Sequence, residues 1–574
     1  MSTVSVAIAA RERKGRMKWL RENAGALAPW VAGLVLSAPL LLAYYPPMTD
    51  FPAHEALVAI LRNLGDTTKY PPGLYIHNFG QTQQLFHLTS WLLSYVLPVH
   101  LACKLVVAAS LVAILVAASR LAHYLGRTPW GGLLVAPMAM GWTFYWGFVA
   151  NLTGLACFLF SLPSLDRFAA KPTWRGALVT SGWCALQYAT HEAPLFVLAG
   201  YVVILMVLRA PSLKSALWGV LPVAVAAALI VGQAVAQEHL RTRANLQVTA
   251  KWFPFSSKLI EIPGLLFVPR RVGIPIVALL AVLEGGVFAV SWKVRPREPR
   301  AALTLRTLRP LLERHRFVVL ALACLFLYFA MPAHLNGATH VAERFFPPAA
   351  AILLIVGAPR ETAGFPRLTN LVLAAIPLVV VLGGLPQYAF STRIDAQLDE
   401  VLKHIEPGSA VANLDLNALT PDMAFHPAMH ATRILSERGG RVLLSFADSS
   451  ISPVIIDPKY QWSEALVRNN VHVGLFRPSF DLRRYRYVLL CTFHPTIASL
   501  APVLFSPEAE LVATSGPWIL MRSKIWDVPL VSPDSRSPHP RPATLQDRIA
   551  NLGLPSVGGY QDFDADSEPP PATP

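Results

Sequence analysis

Charged residues are scarce in this chain. Asp, Glu, Lys and Arg make up 14% of its 574 residues, whereas soluble globular proteins carry about 25%. Hydrophobic residues fill 54% of the sequence, largely in repeated apolar runs, and the mean hydropathy is +0.45. This composition excludes an ordinary soluble enzyme and predicts a helical protein that crosses a membrane several times.

Cysteine is sparse as well, and several familiar motifs are missing. The five cysteines form no CxxC pair and no Cys/His ligand spacing, so neither a zinc module nor a disulfide framework is indicated. The sequence contains no glycine-rich phosphate loop, no HExxH motif and no Ser-His-Asp arrangement. Motif matching alone therefore predicts no cofactor, and metal use is left open.

The formal net charge of +15 belongs to short basic segments between apolar runs. Such segments are typical of the loops that orient a membrane protein, so the predicted partner is the lipid bilayer and not nucleic acid. The basic N-terminus is followed by a long apolar run without a small-residue cleavage site. This pattern predicts an uncleaved first transmembrane helix.

Eleven apolar runs are predicted to span the membrane, and the shorter ones are expected inside the bundle. Another apolar stretch, Leu85–Leu97, contains His87 and is predicted to be a juxtamembrane helix, because all short basic loops then fall on one side. The N-terminus is thereby predicted to be cytoplasmic. The predicted spans are Leu27–Tyr45, Leu101–Leu121, Gly132–Trp146, Leu152–Leu165, Ala177–Thr190, Pro194–Leu208, Ala216–Val235, Ile274–Trp292, Phe317–Pro332, Phe346–Gly357 and Leu368–Gly384.

The polar region after the last span alternates between helical and strand-like patterns. Strand-like runs begin at Ser409, Arg441, Tyr487 and Trp518, and helical patterns cover Met423–Arg438 and Pro495–Leu504. This alternation predicts a small α/β domain. The predicted organisation is a cytoplasmic basic N-terminus over 1–26, a transmembrane domain over 27–386 with its first outside loop at 46–100, an extracytoplasmic α/β domain over 387–528, and a disordered Pro-rich tail over 529–574.

Ionisable and polar residues collect in the segments predicted to lie outside, whereas the inside loops are basic and poor in histidine. Ionisable groups at membrane depth are costly unless they are paired or wet, so this distribution predicts a water-accessible cavity on the outer face. The candidate site residues are Asp50, His54 and Glu55 in the first loop, Asn151 in the turn between the third and fourth spans, His191 and Glu192 at the end of the fifth span, Arg241 and Arg243 in the basic loop Gln237–Gly273, and His340, Glu343 and Arg344 before the tenth span.

Each candidate also has a purely structural explanation. Asp50 is a favoured N-cap residue, and Pro52 suits the first turn of a helix. Arg344 suits an anchor whose charge reaches water from the membrane interface. The other histidines and glutamates are of the kind that solvated loops and wet helix ends contain. The basic loop indicates either an anionic partner or a long segment that escapes the positive-inside rule.

Several stretches together carry a family resemblance. A single span leads to a long outside loop with an acidic residue near its start, "MTDFPAHE", and the loop ends in "QLFHLTSWLLSYVLP". The turn "WGFVANLTGL" joins two short spans, and "RFFPPAAAILLIV" has the Arg-aromatic-Pro opening of a late helix. This layout resembles the C-type glycosyltransferase superfamily, polytopic enzymes that use sugars carried on polyprenyl or dolichyl phosphate.

The resemblance implies transfer of a sugar from a polyprenyl-phosphate donor to an unknown acceptor, a glycan, lipid or protein, outside the plasma (inner) membrane of a bacterium. It implies that Asp50 is the general base. It also implies that Arg344, with Arg241 or Arg243 behind it, binds the donor phosphate, because the guanidinium fork suits phosphate oxygens. His54, His191, Glu192 and His340 would bind a divalent metal or orient substrate, and the remaining candidates would contact substrate.

Two other classes of function stay open at this point. A non-enzymatic envelope-assembly protein would use the membrane part as an anchor and the α/β domain as an interaction module. A lipid or solute transporter would favour internal repeats and broken helices near the bilayer midplane. The sequence shows no repeat between its halves, and its ionisable groups collect at one face, so the transferase is the favoured prediction.

Overall fold

The computed structural model describes residues 3–241, 250–266, 274–293, 305–335, 339–360, 366–416, 427–442, 445–460, 476–526 and 543–552. Most of these residues are helical. The described α-helices are α1 (Thr3–Leu42), α2 (Phe51–Arg62), α3 (Leu85–Leu93), α4 (Val99–Tyr124), α5 (Ala136–Ala139), α6 (Trp142–Trp146), α7 (Val149–Ala170), α8 (Trp174–Thr190), α9 (Glu192–Arg209), α10 (Leu213–Ala216), α11 (Val220–Arg241), α12 (Phe255–Leu266), α13 (Ile274–Lys293), α14 (Leu305–Arg314), α15 (Arg316–Ala330), α16 (Phe346–Gly357), α17 (Pro366–Leu402), α18 (Arg433–Glu437), α19 (Pro478–Asp481), α20 (Pro495–Leu504) and α21 (Leu545–Asn551).

Strands and 3₁₀-helices are short. The described strands are β1 (Tyr75–His77), β2 (Ala250–Lys251), β3 (His334–Leu335), β4 (Ala410–Asp415), β5 (Arg441–Val442), β6 (Val454–Ile456), β7 (Tyr487–Cys491), β8 (Ala509–Ser515) and β9 (Trp518–Ser523). The described 3₁₀-helices are Pro129–Val135, Leu217–Gly219, Glu343–Phe345, Pro427–Thr432, Phe446–Asp448 and Pro458–Tyr460.

Six described helical segments are long and apolar enough to cross a membrane. They are Asn23–Leu42, Val99–Tyr124, Val149–Ala170, Glu192–Arg209, Leu213–Ala236 and Arg367–Leu402. The prediction of a helical protein with several membrane-crossing segments is confirmed by these helices. The number of eleven spans stays a prediction.

The predicted span Gly132–Trp146 is not one continuous helix. It consists of the 3₁₀-helix Pro129–Val135 followed by α5 and α6. Pro137 lies in the first turn of α5, where its missing N–H does no harm, and Gly147 ends α6 in the left-handed conformation at φ 81°. These residues divide the apolar run into short helices, so the run is not a single continuous helix, and its crossing of the membrane stays a prediction.

A second difference concerns the predicted outside loop Gln237–Gly273. Its first residues continue α11 as far as Arg241, and its later part contains β2 and the apolar helix α12. The described residues of this segment are thus largely helical and not an irregular loop. The side chains of 237–241 and all of 242–249 lie outside the described residues, and so does 267–273.

The chain divides into two compact units. The helical unit consists of Met1–Tyr44, Lys104–Ala236 and Leu246–Pro386, and the α/β unit consists of Tyr45–Cys103, Gln237–Asn245 and Gln387–Pro574. The first outside loop, predicted as part of the transmembrane domain, therefore belongs to the same unit as the C-terminal region. The residues that pack around the Asp50 segment within its unit therefore include residues of the C-terminal region.

A buried ion cluster fastens four helices of the helical unit. Asp166 of α7 is fully buried, and its carboxylate accepts two hydrogen bonds from Arg316 at 2.6 and 2.7 Å. Arg209, at the end of α9, lies 2.6 Å from the same carboxylate, and the Tyr124 hydroxyl at the end of α4 donates to it at 2.6 Å. Because a buried carboxylate is tolerated only when its oxygens are satisfied, this cluster sets the relative position of these helix ends.

The α/β unit is built on a five-stranded sheet. The strand order is β5-β4-β7-β9-β8, with β4 parallel to β5 and β7 and with β9 antiparallel to β7 and β8. All residues of β7 are buried, as expected for a central strand covered on both faces. One face packs on α2 and the end of α17, and the other packs on α20 and α21. The four predicted strands and the helix Pro495–Leu504 are confirmed.

The first loop is joined to this sheet domain by strand pairing and side-chain bonds. β1 pairs antiparallel with β6, with Tyr75 opposite Ile456. The Tyr75 hydroxyl donates to the Gly440 carbonyl at 2.9 Å, and the Gly440 amide donates to the Lys69 carbonyl at 2.7 Å. The Tyr70 hydroxyl donates to the Leu435 carbonyl at 2.7 Å. The loop is therefore an integral part of the α/β fold.

The C-terminal tail contains an ordered helix that its composition did not predict. Thr544 and Asp547 form a capping box at the start of α21. Leu545 and Ile549 are fully buried in the core on the α20 side of the sheet. The prediction of a disordered tail from Pro529 is wrong for residues 543–552, because two apolar residues one turn apart suffice to dock one short helix. Residues 527–542 and 553–574 lie outside the described residues.

Candidate active site

Asp50 immediately precedes α2 and is 8% exposed. It occupies the N-cap position, yet no amide of the described first turn of α2 donates to its side chain. Its backbone is helical, at φ −88° and ψ −7°, whereas a capping residue normally has extended dihedrals that aim its side chain at these amides. The structure therefore contradicts the explanation of Asp50 as a simple helix cap.

His54 and Glu55 lie one turn further along α2, and each has a defined partner. The Nδ1 atom of His54 lies 2.9 Å from Nε2 of His87 in α3. Burial lowers the pKa of His87 to about 4, so its ring is neutral at physiological pH. The Glu55 carboxylate lies 2.8 Å from Nδ1 of His100. Neither His54 nor Glu55 is therefore an ordinary solvated loop residue.

A buried cluster behind this helix was not predicted. The Arg433 guanidinium lies 3.9 Å from the ring centre of Tyr45, and it donates to the Tyr45 hydroxyl at 2.6 Å. It also donates to Asp399 at 2.6 Å and to Glu437 at 2.5 Å. These residues come from three distant parts of the chain, so no local pattern indicated the cluster. It fixes Tyr45, which opens the segment that ends at Asp50.

In the helical unit, His191 lies between α8 and α9 and contacts Arg344. The Ala193 amide donates to Nδ1 of His191 at 3.0 Å. Burial lowers the pKa of His191 to about 4, so the ring is neutral, and the proton belongs on Nε2 because Nδ1 is an acceptor. Nη1 of Arg344 lies 3.2 Å from this same Nε2.

The contact between Arg344 and His191 consequently joins two donors. Nη2 of Arg344 donates to the Thr339 carbonyl at 3.3 Å, while its Nε is buried and has no hydrogen-bond partner among the described residues. The Glu192 carboxylate is 3.7 Å from Nη1 and is one-third exposed, so it neutralises the cation only weakly. A neutral imidazole cannot accept on the nitrogen that carries its proton. The arrangement therefore suits an anionic oxygen that accepts from both residues at once.

Aromatic rings surround His340 next to Arg344. The ring centres of Trp142, Trp146 and Phe148 lie 5.3, 4.7 and 6.1 Å from that of His340. His340 itself has φ 57°, a left-handed conformation that strains a residue other than glycine. The stretch "WTFYWGF" contains five aromatic residues in seven, a sequence signal that could have indicated this group but was not used. It presents flat apolar faces beside a cationic side chain.

Nearby contacts hold the segment that carries these residues. Nζ of Lys258 in α12 is buried and donates to three carbonyls, those of Tyr328, Phe329 and Met331, at 2.9, 3.1 and 2.7 Å. These carbonyls lie at the end of α15, where the helix leaves backbone acceptors without intrahelical partners. α12 therefore fixes the point from which the chain departs toward His340 and Arg344.

The structure thus places the predicted site residues in two groups, each described within its own unit. Asp50, His54 and Glu55 belong to the α/β unit, whereas Asn151, His191, Glu192, His340, Glu343 and Arg344 belong to the helical unit. Asn151 lies in the first turn of α7 and is half-buried, and Glu343 is buried 3.6 Å from His340. The side chain of Arg241 and all of Arg243 lie outside the described residues. Within the described ranges, no three His, Cys, Asp or Glu side chains are grouped so as to hold a metal ion.

Comparison with known proteins adds the fold family. No protein-family model and no curated protein sequence matches the chain. The crystal structure of ArnT from Cupriavidus metallidurans in the apo state superposes with a TM-score of 0.51 at 12% identity, covering 88% of this chain and 98% of ArnT. A second structure of ArnT, bound to undecaprenyl phosphate, gives a TM-score of 0.49 at 13% identity over 86% and 97% of the two chains. The chain therefore shares the fold of ArnT, and its long apolar helices are those of a multi-pass membrane protein.

Proposed function

We propose that this protein is a membrane glycosyltransferase that moves a sugar from a polyprenyl-phosphate donor to an extracytoplasmic acceptor. The pair of facing donors on Arg344 and His191 is the observation that carries the proposal. The fold shared with ArnT supports it. The proposed topology is eleven spans in the plasma membrane, with a cytoplasmic N-terminus and the C-terminal region outside.

The phosphate of the donor would bind between Arg344 and His191. One phosphate oxygen accepts from Nη1 of Arg344 and from Nε2–H of His191, which removes the unfavourable contact of two donors. A hydrogen bond to a charged group contributes about 1.5–3 kcal/mol. Because the phosphate gains negative charge as the sugar departs, these donors also stabilise the transition state.

Asp50 would act as the general base. An acceptor oxygen attacks the anomeric carbon of the sugar, the bond between that carbon and the phosphate oxygen breaks, and polyprenyl phosphate leaves with the bonding electrons. Asp50 takes the proton of the acceptor, for which a carboxylate within hydrogen-bond reach is suited. Glu55 is less suited to this role, since its carboxylate is engaged by His100.

The aromatic group around His340 would bind the apolar part of the donor. Trp146 and Phe148 are nearly parallel, with an interplanar angle of 14°, and flat faces of this kind suit the C–H face of a sugar or an isoprenoid chain. We further propose that Asn151, Glu192, Glu343, Arg241 and Arg243 contact substrate, and that His54 orients it from α2.

The test compares purified wild type with Asp50→Asn on a panel of radiolabelled polyprenyl-phosphate sugars. General-base catalysis contributes about 10²–10⁴-fold, so turnover of the donor, hydrolysis included, is expected to fall at least about 10²-fold. The matched control is Asp66→Asn, which changes an exposed carboxylate of the same loop that bonds only locally to Thr68. Equal turnover by wild type and Asp50→Asn, with equal folding, would refute the role of Asp50.

A binding measurement tests the phosphate site independently of turnover. Arg344→Gln is expected to weaken donor binding about 10–100-fold, from the loss of one charge-assisted bond. The control is Arg175→Gln, an exposed arginine of the same unit. If the wild type binds none of the polyprenyl-phosphate sugars, or if both variants bind as the wild type does, the transferase proposal is wrong.

A further inference from the structure

A basic cavity lies in the helical unit, away from the Arg344 group. Its volume is about 940 Å³, and it is lined by residues of α1, by the ends of α4 and α7, and by the start of α17. Arg167, near the end of α7, lines the cavity, whereas Phe148 of the active site immediately precedes the start of α7. At 1.5 Å per residue, the two ends of this helix are roughly 30 Å apart. The cavity is therefore a separate feature of the molecule.

The lining of this cavity is strongly basic. Arg120, Arg167, Arg360 and His123 line it, and none of the described residues around it is acidic. In the described part of the chain, no carboxylate pairs with any of these three arginines. The Arg120 guanidinium lies over the Phe160 ring at 5.5 Å, and that of Arg167 over the Tyr124 ring at 5.8 Å. These rings position the cations without neutralising them.

A buried hydroxyl provides a second, independent indication of a polar ligand. Ser119 of α4 lines the cavity and is 4% exposed, and its Oγ has no hydrogen-bond partner among the described residues. A buried polar atom without a partner costs free energy, so a polar group bound next to this hydroxyl would recover that cost. A phosphate oxygen would accept from this hydroxyl and from the neighbouring guanidinium groups.

Much of the remaining lining is apolar, including Trp30, Val116, Leu159 and Phe160. Trp30, on the membrane-crossing part of α1, is 53% exposed, and Trp130 also lines the cavity. Exposed tryptophans at the end of a spanning helix are typical of the membrane interface. Basic pockets between transmembrane helices on the cytoplasmic side bind the headgroups of anionic lipids. We propose that this cavity binds the phosphate headgroup of an anionic phospholipid at the cytoplasmic ends of the helices, with the acyl chains along Trp30.

The test uses the full-length protein in nonionic detergent, titrated with phosphatidylglycerol, phosphatidylcholine or inorganic phosphate, and bound lipid is counted by native mass spectrometry. The triple variant Arg120→Gln, Arg167→Gln, Arg360→Gln is expected to bind phosphatidylglycerol at least about tenfold more weakly than the wild type. The control Lys171→Gln, Arg175→Gln, Lys214→Gln removes the same charge from exposed residues that do not line the cavity. It is expected to change the affinity less than about twofold.

Several results would overturn the proposal. Equal weakening in both triple variants would mean that any basic residue attracts the lipid, and no weakening in either would mean that the cavity binds none. Equal affinity for phosphatidylcholine would remove the preference for an anionic headgroup, and equal affinity for inorganic phosphate would make the ligand a free anion.

A second variant keeps the test informative if the arginine variant does not fold. A Cβ at Gly25 would meet Pro129 and Trp130 at 3.5 and 3.6 Å, which are ordinary contacts. Gly25→Phe is therefore expected to fill the cavity without changing the charge and to weaken phosphatidylglycerol binding about tenfold. Unchanged binding by Gly25→Phe would refute the site.

Discussion

Replacing Arg433 by methionine tests the reasoning about the cluster that supports the Asp50 segment. The Arg433 side chain is 5% exposed, and it donates to Tyr45, Asp399 and Glu437 at 2.5–2.6 Å. Removing one partner of a buried ion pair costs about 3–5 kcal/mol, because the remaining charges lose their compensation. Asp399 and Glu437 are 32% and 37% exposed and regain some water. The expected loss for Arg433→Met therefore lies at the lower end, about 3 kcal/mol.

The assay is thermal unfolding of the purified protein in detergent, followed by tryptophan fluorescence. For a unit of this size, 1 kcal/mol lowers the midpoint by about 2–4 °C, so Arg433→Met is expected to unfold about 6–12 °C lower. Donor turnover is also expected to fall, because Tyr45 loses the group that holds it next to the Asp50 segment.

The pH dependence of this loss has a definite sign. Burial raises the pKa of Glu437, and Arg433 opposes that rise. Without the arginine, the pKa of Glu437 in the folded protein rises further. A carboxyl whose pKa is higher in the folded than in the unfolded protein stabilises the fold at low pH, and this stabilisation is lost as the pH rises through the folded pKa. The deficit of Arg433→Met is therefore expected to be largest above neutral pH and smallest near pH 4 to 5.

The control is Arg486→Met in the same unit. Arg486 pairs with Glu406 at 2.6 Å, but the two side chains are 33% and 49% exposed, and such pairs contribute about 0–1 kcal/mol. If both variants lose the same stability, or if Arg433→Met loses less than about 1 kcal/mol, burial does not determine the contribution of the Arg433 cluster.

The other predictions concern three further positions. Because burial lowers the pKa of His191 to about 4, donor affinity is expected to have the same pH profile in wild type and His191→Asn between about pH 5.5 and 8; a step near 6.5 that the variant loses would contradict the neutral tautomer. Lys258→Met removes three bonds to backbone carbonyls at the end of α15, and its unfolding free energy is expected to fall by about 3 kcal/mol, measured against the exposed Lys214→Met. Gly440 has φ 79°, and the Cβ of Gly440→Ala would lie 2.0 Å from a backbone oxygen. This variant is therefore expected to unfold or to be proteolysed far faster than Gly73→Ala. In the latter, Cβ would meet only the terminal nitrogen of a lysine side chain, at 3.7 Å, and the substitution costs about 1–2 kcal/mol.

The local elements of the α/β unit could be predicted where their pattern is strong. β7 and the first four residues of β9 are uninterrupted apolar runs, as a strand buried on both faces requires. β8 was missed because only Ala509, its first residue, is buried, so its sequence shows no apolar periodicity. β1 and β6 have three residues each, too few for a pattern to stand out.

The sequence indicated many residues of the candidate site, but it did not indicate how their side chains contact one another. Histidines and acidic residues at predicted loop ends led to Arg344, His191 and Glu192, and the structure brings these three together. The Arg433 cluster and the His54–His87 pair could not be predicted, since they depend on long-range packing that leaves no local trace. The break in the span Gly132–Trp146 depends on where Pro137 and Gly147 fall in the helix, which hydrophobicity alone does not report.

The pairing between the first loop and the C-terminal region has a consequence for biosynthesis. The Tyr70 hydroxyl and its acceptor carbonyl are 365 residues apart in the chain. At roughly 5–20 residues per second, the ribosome makes Tyr70 about 20 to 70 s before Leu435. During that interval the apolar face of α2 lacks partners that the later chain supplies, those of β6 and β7 among them. A product truncated before β7 keeps its membrane helices but never completes the loop of Asp50, so completion of translation, and not membrane insertion, is the step that finishes this part of the protein.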